Sequence, residues 1–156
     1  GEAPLVYVQR VTALKLEAAV ARLARRGLPP APVLCADTTV ALGRRILGKP
    51  LDAQDAVQVL TALAGRTHRV LTAVAVQAGA QQQAAVSVSH VTFAAMTPAQ
   101  ISAYAASGEP MGKAGAYAIQ GLAAAHVQRI SGSHSGIMGL PLYETALLLR
   151  TAGVAV

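Results

Sequence analysis

The sequence predicts an α/β protein, one domain in which helices flank a sheet. Three observations predict it. Segments with apolar residues at helical spacing alternate with runs rich in Val and Thr. Gly and Pro punctuate the junctions between them. The 156 residues are 53% hydrophobic, which suffices for one core, and with one Phe and no Trp that core is aliphatic and light.

The first helix is expected over Val6 to Arg26, with Val11, Leu14, Ala18 and Ala21 as its core stripe and Arg22, Arg25 and Arg26 crowding its end, where cations suit the helix dipole. Gly27, Pro29, Pro30 and Pro32 stop it. Val33 to Ala36 reads as a buried strand that Thr39 to Leu42 extends, turned back at Gly43-Arg44-Arg45 toward Ile46 and Leu47. Asp52 caps a second helix that buries Ala56, Val59, Leu60 and Leu63 and ends at Gly65. His68 to Val76 and Val86 to Phe93 form an antiparallel pair about a turn at Gly79. Thr97-Pro98-Ala99-Gln100 opens a third helix with Thr as N-cap, Pro at N1 and Gln at N3, ending at Ser107-Gly108. Gly115 to Ile119 and His126 to Ile130 are expected as strands. A last helix from Pro141 to Gly153 is expected to bury Leu142, Ala146, Leu147 and Leu149.

Thirteen basic against 7 acidic residues give a net charge of +6, which suits an anionic partner, either nucleic acid or a small phosphate compound. Four Tyr and one Phe offer few rings for stacked bases, so nucleic acid is not the expected partner. No apolar run approaches the roughly 18 residues of a membrane helix, and no signal peptide is expected. The single cysteine, Cys35, reads as a small buried hydrophobe and fits a reducing cytoplasm.

Gly43-Arg44-Arg45-Ile46-Leu47-Gly48-Lys49 has the spacing of a phosphate-binding P-loop, but Pro50 stands where a Ser or Thr is required. Proline offers neither a hydroxyl for the metal nor an N–H for phosphate, so the P-loop is rejected. Lys49 stays a phosphate candidate or an exposed turn lysine. Asp37, directly after Val33-Leu34-Cys35-Ala36, is placed at the carboxyl end of a buried strand. A carboxylate there can hold a divalent metal or aim a water, or it can cap a turn. In Gly108-Glu109-Pro110-Met111-Gly112-Lys113, Glu109 could ligate a metal and Lys113 could bind phosphate, unless both only solvate a loop. Gln120, before Gly121, both donates and accepts and so could read a base edge. The four histidines have no metal-ligand spacing.

These blocks resemble one family. Ala36-Asp37-Thr38-Thr39-Val40, Leu47-Gly48-Lys49-Pro50, Gly65-Arg66-Thr67-His68-Arg69-Val70-Leu71-Thr72, Tyr104-Ala105-Ala106-Ser107-Gly108-Glu109-Pro110, Lys113 to Gly121 and Gly139-Leu140-Pro141-Leu142 follow the order of signatures in the Maf nucleotide pyrophosphatases, over nearly the whole chain. The resemblance implies an elongated mixed sheet flanked by helices, in two lobes with a nucleotide cleft between them. It implies a cytoplasmic house-cleaning enzyme, linked also to septum formation, that splits nucleoside triphosphates into monophosphate and pyrophosphate with Mg2+ or Mn2+. Many members are homodimers, so a homodimer is the expected assembly. By the same resemblance Asp37 is the catalytic base, the carboxylate that can also hold the metal, Lys49 binds phosphate, and Lys15 is a further substrate-binding lysine of the cleft. Asp-Thr at 37–38 and Ile-Gln-Gly at 119–121 are similar to the branch acting on dTTP and UTP, which makes Thr38 and Gln120 the base readers. The alternatives are a pyrophosphatase for other modified nucleotides, or an inactive relative that binds nucleic acid or a partner.

The family also carries an N-terminal strand and a Ser-x-Ser-Pro-Arg-Arg phosphate loop, whereas this sequence starts at Gly1-Glu2-Ala3-Pro4, a point that resembles the pattern past that loop. Without those arginines, weak phosphate binding and one fewer central strand are the expectation.

Overall fold

The computed structural model describes residues 1–156. Five strands, β1 (Val33–Leu42), β2 (Arg45–Leu47), β3 (Thr67–Ala78), β4 (Gln81–Phe93) and β5 (Val127–Ser131), form one sheet in the order β2-β1-β3-β4-β5. Helices alternate with strands as the sequence indicates: α1 (Pro4–Arg25), α2 (Ala53–Leu63), α3 (Pro98–Ala106), α4 (His134–Met138) and α5 (Leu142–Thr151). Every neighbouring pair of strands is antiparallel. The caps behave as expected. Asp52 accepts from the Asp55 amide at 2.8 Å, and Thr97 and Gln100 complete a capping box.

The register divides the sheet's two faces. Leu71 and Ala73 of β3 and Ala41 of β1 pack against Val8 of α1. On the opposite face, Val40, Val70, Val91 and Phe93 join α2 and α3 in the main core through Leu60, Leu63 and Ile101. Farther along the same face, Val74 and Val76 pack with Leu148 of α5, Leu34 and Ala36. Between these two apolar lobes runs a hydroxyl-bearing row in which Thr38 pairs with Thr72 and Thr72 with Ser87. Residues that cannot build a dry core thus separate the lobes and leave a cleft between them.

Several expectations need correction. The buried residues of α1 are Pro4, Val8, Thr12 and Leu16 rather than Val11, Leu14, Ala18 and Ala21, and Leu14 is 53% exposed. The true stripe is an i, i+4 row whose third member is a threonine, satisfied by donating to the Val8 carbonyl at 2.8 Å. A count of apolar residues alone passes over it. In α5 the buried positions are Thr145 and Leu148, while Leu142 and Leu147 face outward, for the same reason. Gly115 to Ile119 is not a strand: a 3-10 turn covers Ala114–Ala116, and positive φ at Gly115 (71°) and Ala116 (60°) is incompatible with a pleated ladder. The short α4, capped by Ser133, has no counterpart in the sequence reading.

Candidate active site

Asp37 sits in the middle of β1 rather than at its carboxyl end, so the strand-end argument does not explain its exposure. The geometry does. β2 pairs only with Val40, Ala41 and Leu42, so the stretch from Val33 to Thr39 has one sheet neighbour, β3. Along that open edge a ligand can reach side chains from both faces. Asp37 lies on the α1 side, where Lys15 donates to its Oδ1 at 2.5 Å. Thr38 lies on the side of the hydroxyl row.

A cavity of about 310 Å³ wraps this edge and gathers Lys15, Asp37, Thr38, Lys49, Lys113 and Gln120, six of the seven residues singled out in the sequence. Three lysines face one carboxylate, so the lining carries excess positive charge suited to a polyanion. The Lys15–Asp37 pair fixes the carboxylate's orientation more than it stabilises the fold, because the Lys15 side chain is half exposed.

The seventh residue, Glu109, does not line the cavity. Its carboxylate accepts from the Tyr104 hydroxyl at 2.7 Å and from the Leu122 and Ala123 amides at 2.9 and 3.4 Å. Burial alone would raise the carboxyl, but the Leu122 amide, the Tyr104 hydroxyl, the Ala123 amide and nearby Lys113 outweigh it and hold Glu109 below its usual range. Tyr104 also accepts from the Ala118 amide at 3.2 Å. Glu109 and Tyr104 thus brace the segment from Ala118 to Ala123 that presents Gln120. Gly121 permits the close approach, since a Cβ there would collide with the Glu109 carboxylate.

The loop carrying Lys49 is held from two directions. Gly48 accepts at its carbonyl from the Gly115 amide at 3.0 Å, and Asp55 accepts from the Leu51 amide at 3.0 Å. Gly115 is packed so closely that a Cβ would lie 2.8 Å from Val40 Cγ1, at a φ of +71°. Gly115→Ala is expected to cost about 2–4 kcal/mol through strain and overpacking, read as a lowered urea midpoint. An unchanged midpoint would show that the segment relaxes freely.

The sequence reading missed the far wall, formed by Tyr117 and by Ile137, Met138 and Gly139 around the end of α4. Its signal was faint: Gly132-Ser133-His134-Ser135-Gly136 supplies small residues and a cap but no apolar period. Cys35 is half-buried, with a free thiol.

No three His, Cys, Asp or Glu side chains gather as a protein-built metal cage needs. Asp37 is the one carboxylate on the cavity. That donor set fits a magnesium ion carried in on substrate phosphates, the usual way this ion is bound. No helix is long and apolar enough to cross a membrane.

Comparison with known proteins agrees with this geometry. A family model described as Maf-like protein matches residues 1–152. A dTTP/UTP pyrophosphatase of Polaromonas sp. is 65% identical over 99% of this chain and 77% of its own length. Proteins of the same name from Albidiferax ferrireducens and Cupriavidus metallidurans are 62% and 63% identical, over 100% and 99% of this chain and 78% and 77% of their own lengths. With the family pattern spanning both lobes and the cleft, the chain belongs to the Maf-like family.

Proposed function

We propose that this protein hydrolyses dTTP and UTP to the monophosphate and pyrophosphate. The observation that carries the reading is the single carboxylate, Asp37, set among three lysines and two base-reading candidates on one cavity. The names of its relatives support the substrate pair.

Lys15, Lys49 and Lys113 offset the triphosphate's charge as it enters the cavity. Lys15 holds Asp37 Oδ1, which leaves Oδ2 for a water. Asp37 takes a proton as that water's oxygen attacks the α-phosphorus, the bond from the α-phosphorus to the bridging oxygen breaks, and pyrophosphate departs. A divalent metal, held by Asp37 and the phosphates, would supply further neutralisation of charge. Thr38 and Gln120 read the base, since a glutamine amide can meet both the acceptor and donor sites of a uracil or thymine edge.

The test is pyrophosphate release by the full-length protein with magnesium and dTTP, UTP, 7-methyl-GTP or ITP. Turnover of dTTP and UTP well above the others is expected. Turnover of 7-methyl-GTP or ITP with none of dTTP or UTP would refute the substrate assignment.

A further inference from the structure

The hydroxyl of Thr38 belongs to a chain whose direction is fixed. Thr72 Oγ1 lies 2.7 Å from the Gly136 carbonyl oxygen and 2.8 Å from Thr38 Oγ1. A carbonyl oxygen only accepts, so the one proton of Thr72 goes to Gly136. Thr38 must then donate its own proton to Thr72. What Thr38 presents to the cavity is lone pairs alone.

The carbonyl that sets this direction is itself anchored. Gly136 donates its amide to the capping hydroxyl of Ser133 at 2.9 Å. The Ser133 amide donates to Ser89 Oγ at 2.9 Å. A Cβ on Gly136 would come within 2.9 Å of Ser87 Oγ, so the backbone lies flat on the sheet. Thr72 is 1% exposed and does not line the cavity, so it acts on a ligand only through Thr38.

We infer that Thr72 is a positioning residue that makes Thr38 an acceptor-only group and thereby selects a pyrimidine bearing a ring N3–H. The inference rests on the reading that Thr38 contacts the base. A uracil or thymine edge offers two carbonyl acceptors and one donor, the N3–H, so lone pairs can meet it at one place only. Cytosine has a bare nitrogen lone pair at that place, and its one donor on this edge, the exocyclic amine, lies at the neighbouring ring position, so an acceptor fixed opposite N3 disfavours it.

The test compares kcat/KM for UTP and CTP in the full-length protein and in Thr72→Val, Thr72→Ala, Thr72→Ser and Thr38→Val. Thr72→Val and Thr72→Ala are expected to narrow the UTP-over-CTP preference about tenfold, and Thr72→Ser to restore it. A purely structural role would lower both nucleotides together and leave the ratio unchanged, which overturns the inference. Preference lost in Thr38→Val but kept in both Thr72→Val and Thr72→Ala overturns it while leaving the base-contact reading intact. Preference kept in Thr38→Val removes that reading itself. Should the Thr72 variants fail to fold, N3-methyl-UTP on the unsubstituted protein decides: turnover matching UTP overturns the inference, and a loss of tenfold or more supports it.

Discussion

Asp37→Asn is expected to lower kcat/KM for dTTP by on the order of a thousandfold while leaving the fold intact, the range seen for loss of a positioned general base. Asparagine keeps the size of the side chain and an oxygen for Lys15, which now donates to Asp37 Oδ1 at 2.5 Å. It cannot take a proton from water. The loss should therefore fall in kcat, with KM changed far less, because the three lysines on the cavity are untouched. Single-turnover hydrolysis separates the chemical step from binding. Urea unfolding confirms that the variant is folded, as expected for a carboxylate whose one ion-pair partner is half exposed. A variant retaining even a tenth of the rate would remove Asp37 from the chemistry and turn attention to the lysines as the main source of rate.

The parts of this site legible in sequence were polar side chains lying in short, ordered signatures. Asp37, Lys49, Lys113 and Gln120 each keep a structural alternative until the ordered family signatures single them out and add Lys15, and all five line the cavity. Glu109 reads as a metal ligand or a solvated loop charge and is neither on the cavity nor free; only the fold shows that it accepts from Tyr104 and from two amides. The helix stripes failed where threonine stood in for an apolar residue, at Thr12 and Thr145. The site's polar row failed for the mirror-image reason. Thr72 and Ser87 sit inside two strands read only as an antiparallel pair, yet their hydroxyls mark where the two apolar lobes part. Periodicity reports which residues leave water. It is blind to a buried hydroxyl whose partner is a carbonyl 64 residues away, as between Thr72 and Gly136.

Stability should fall by about 3 kcal/mol from one histidine alone as pH drops from 7 to 4, and His68→Gln should abolish that share. His68 is 1% exposed, edge-on to Phe93 and Tyr117 at ring separations of 5.2 and 5.4 Å. Its Nε2 is 2.8 Å from the Tyr117 hydroxyl, and its Nδ1 has no partner. Burial among these rings lowers its pKa to about 4. In the unfolded chain the same imidazole titrates near 6.5. Between those values the unfolded state holds a proton that the folded state excludes, so folding grows less favourable as pH falls through this window. Above about pH 6.5 both states are neutral at this residue, and its contribution is flat. Carboxylates add their own acid sensitivity, so the decisive quantity is the difference between two proteins: the drop in unfolding free energy from pH 7 to 4.5 in the unsubstituted chain, less the drop in His68→Gln. A difference of about 2–3 kcal/mol is expected, and equal drops would show that the buried ring accepts a proton freely. The same titration is felt next to the cavity, because the group that meets His68 Nε2 is the hydroxyl of Tyr117, which lines it.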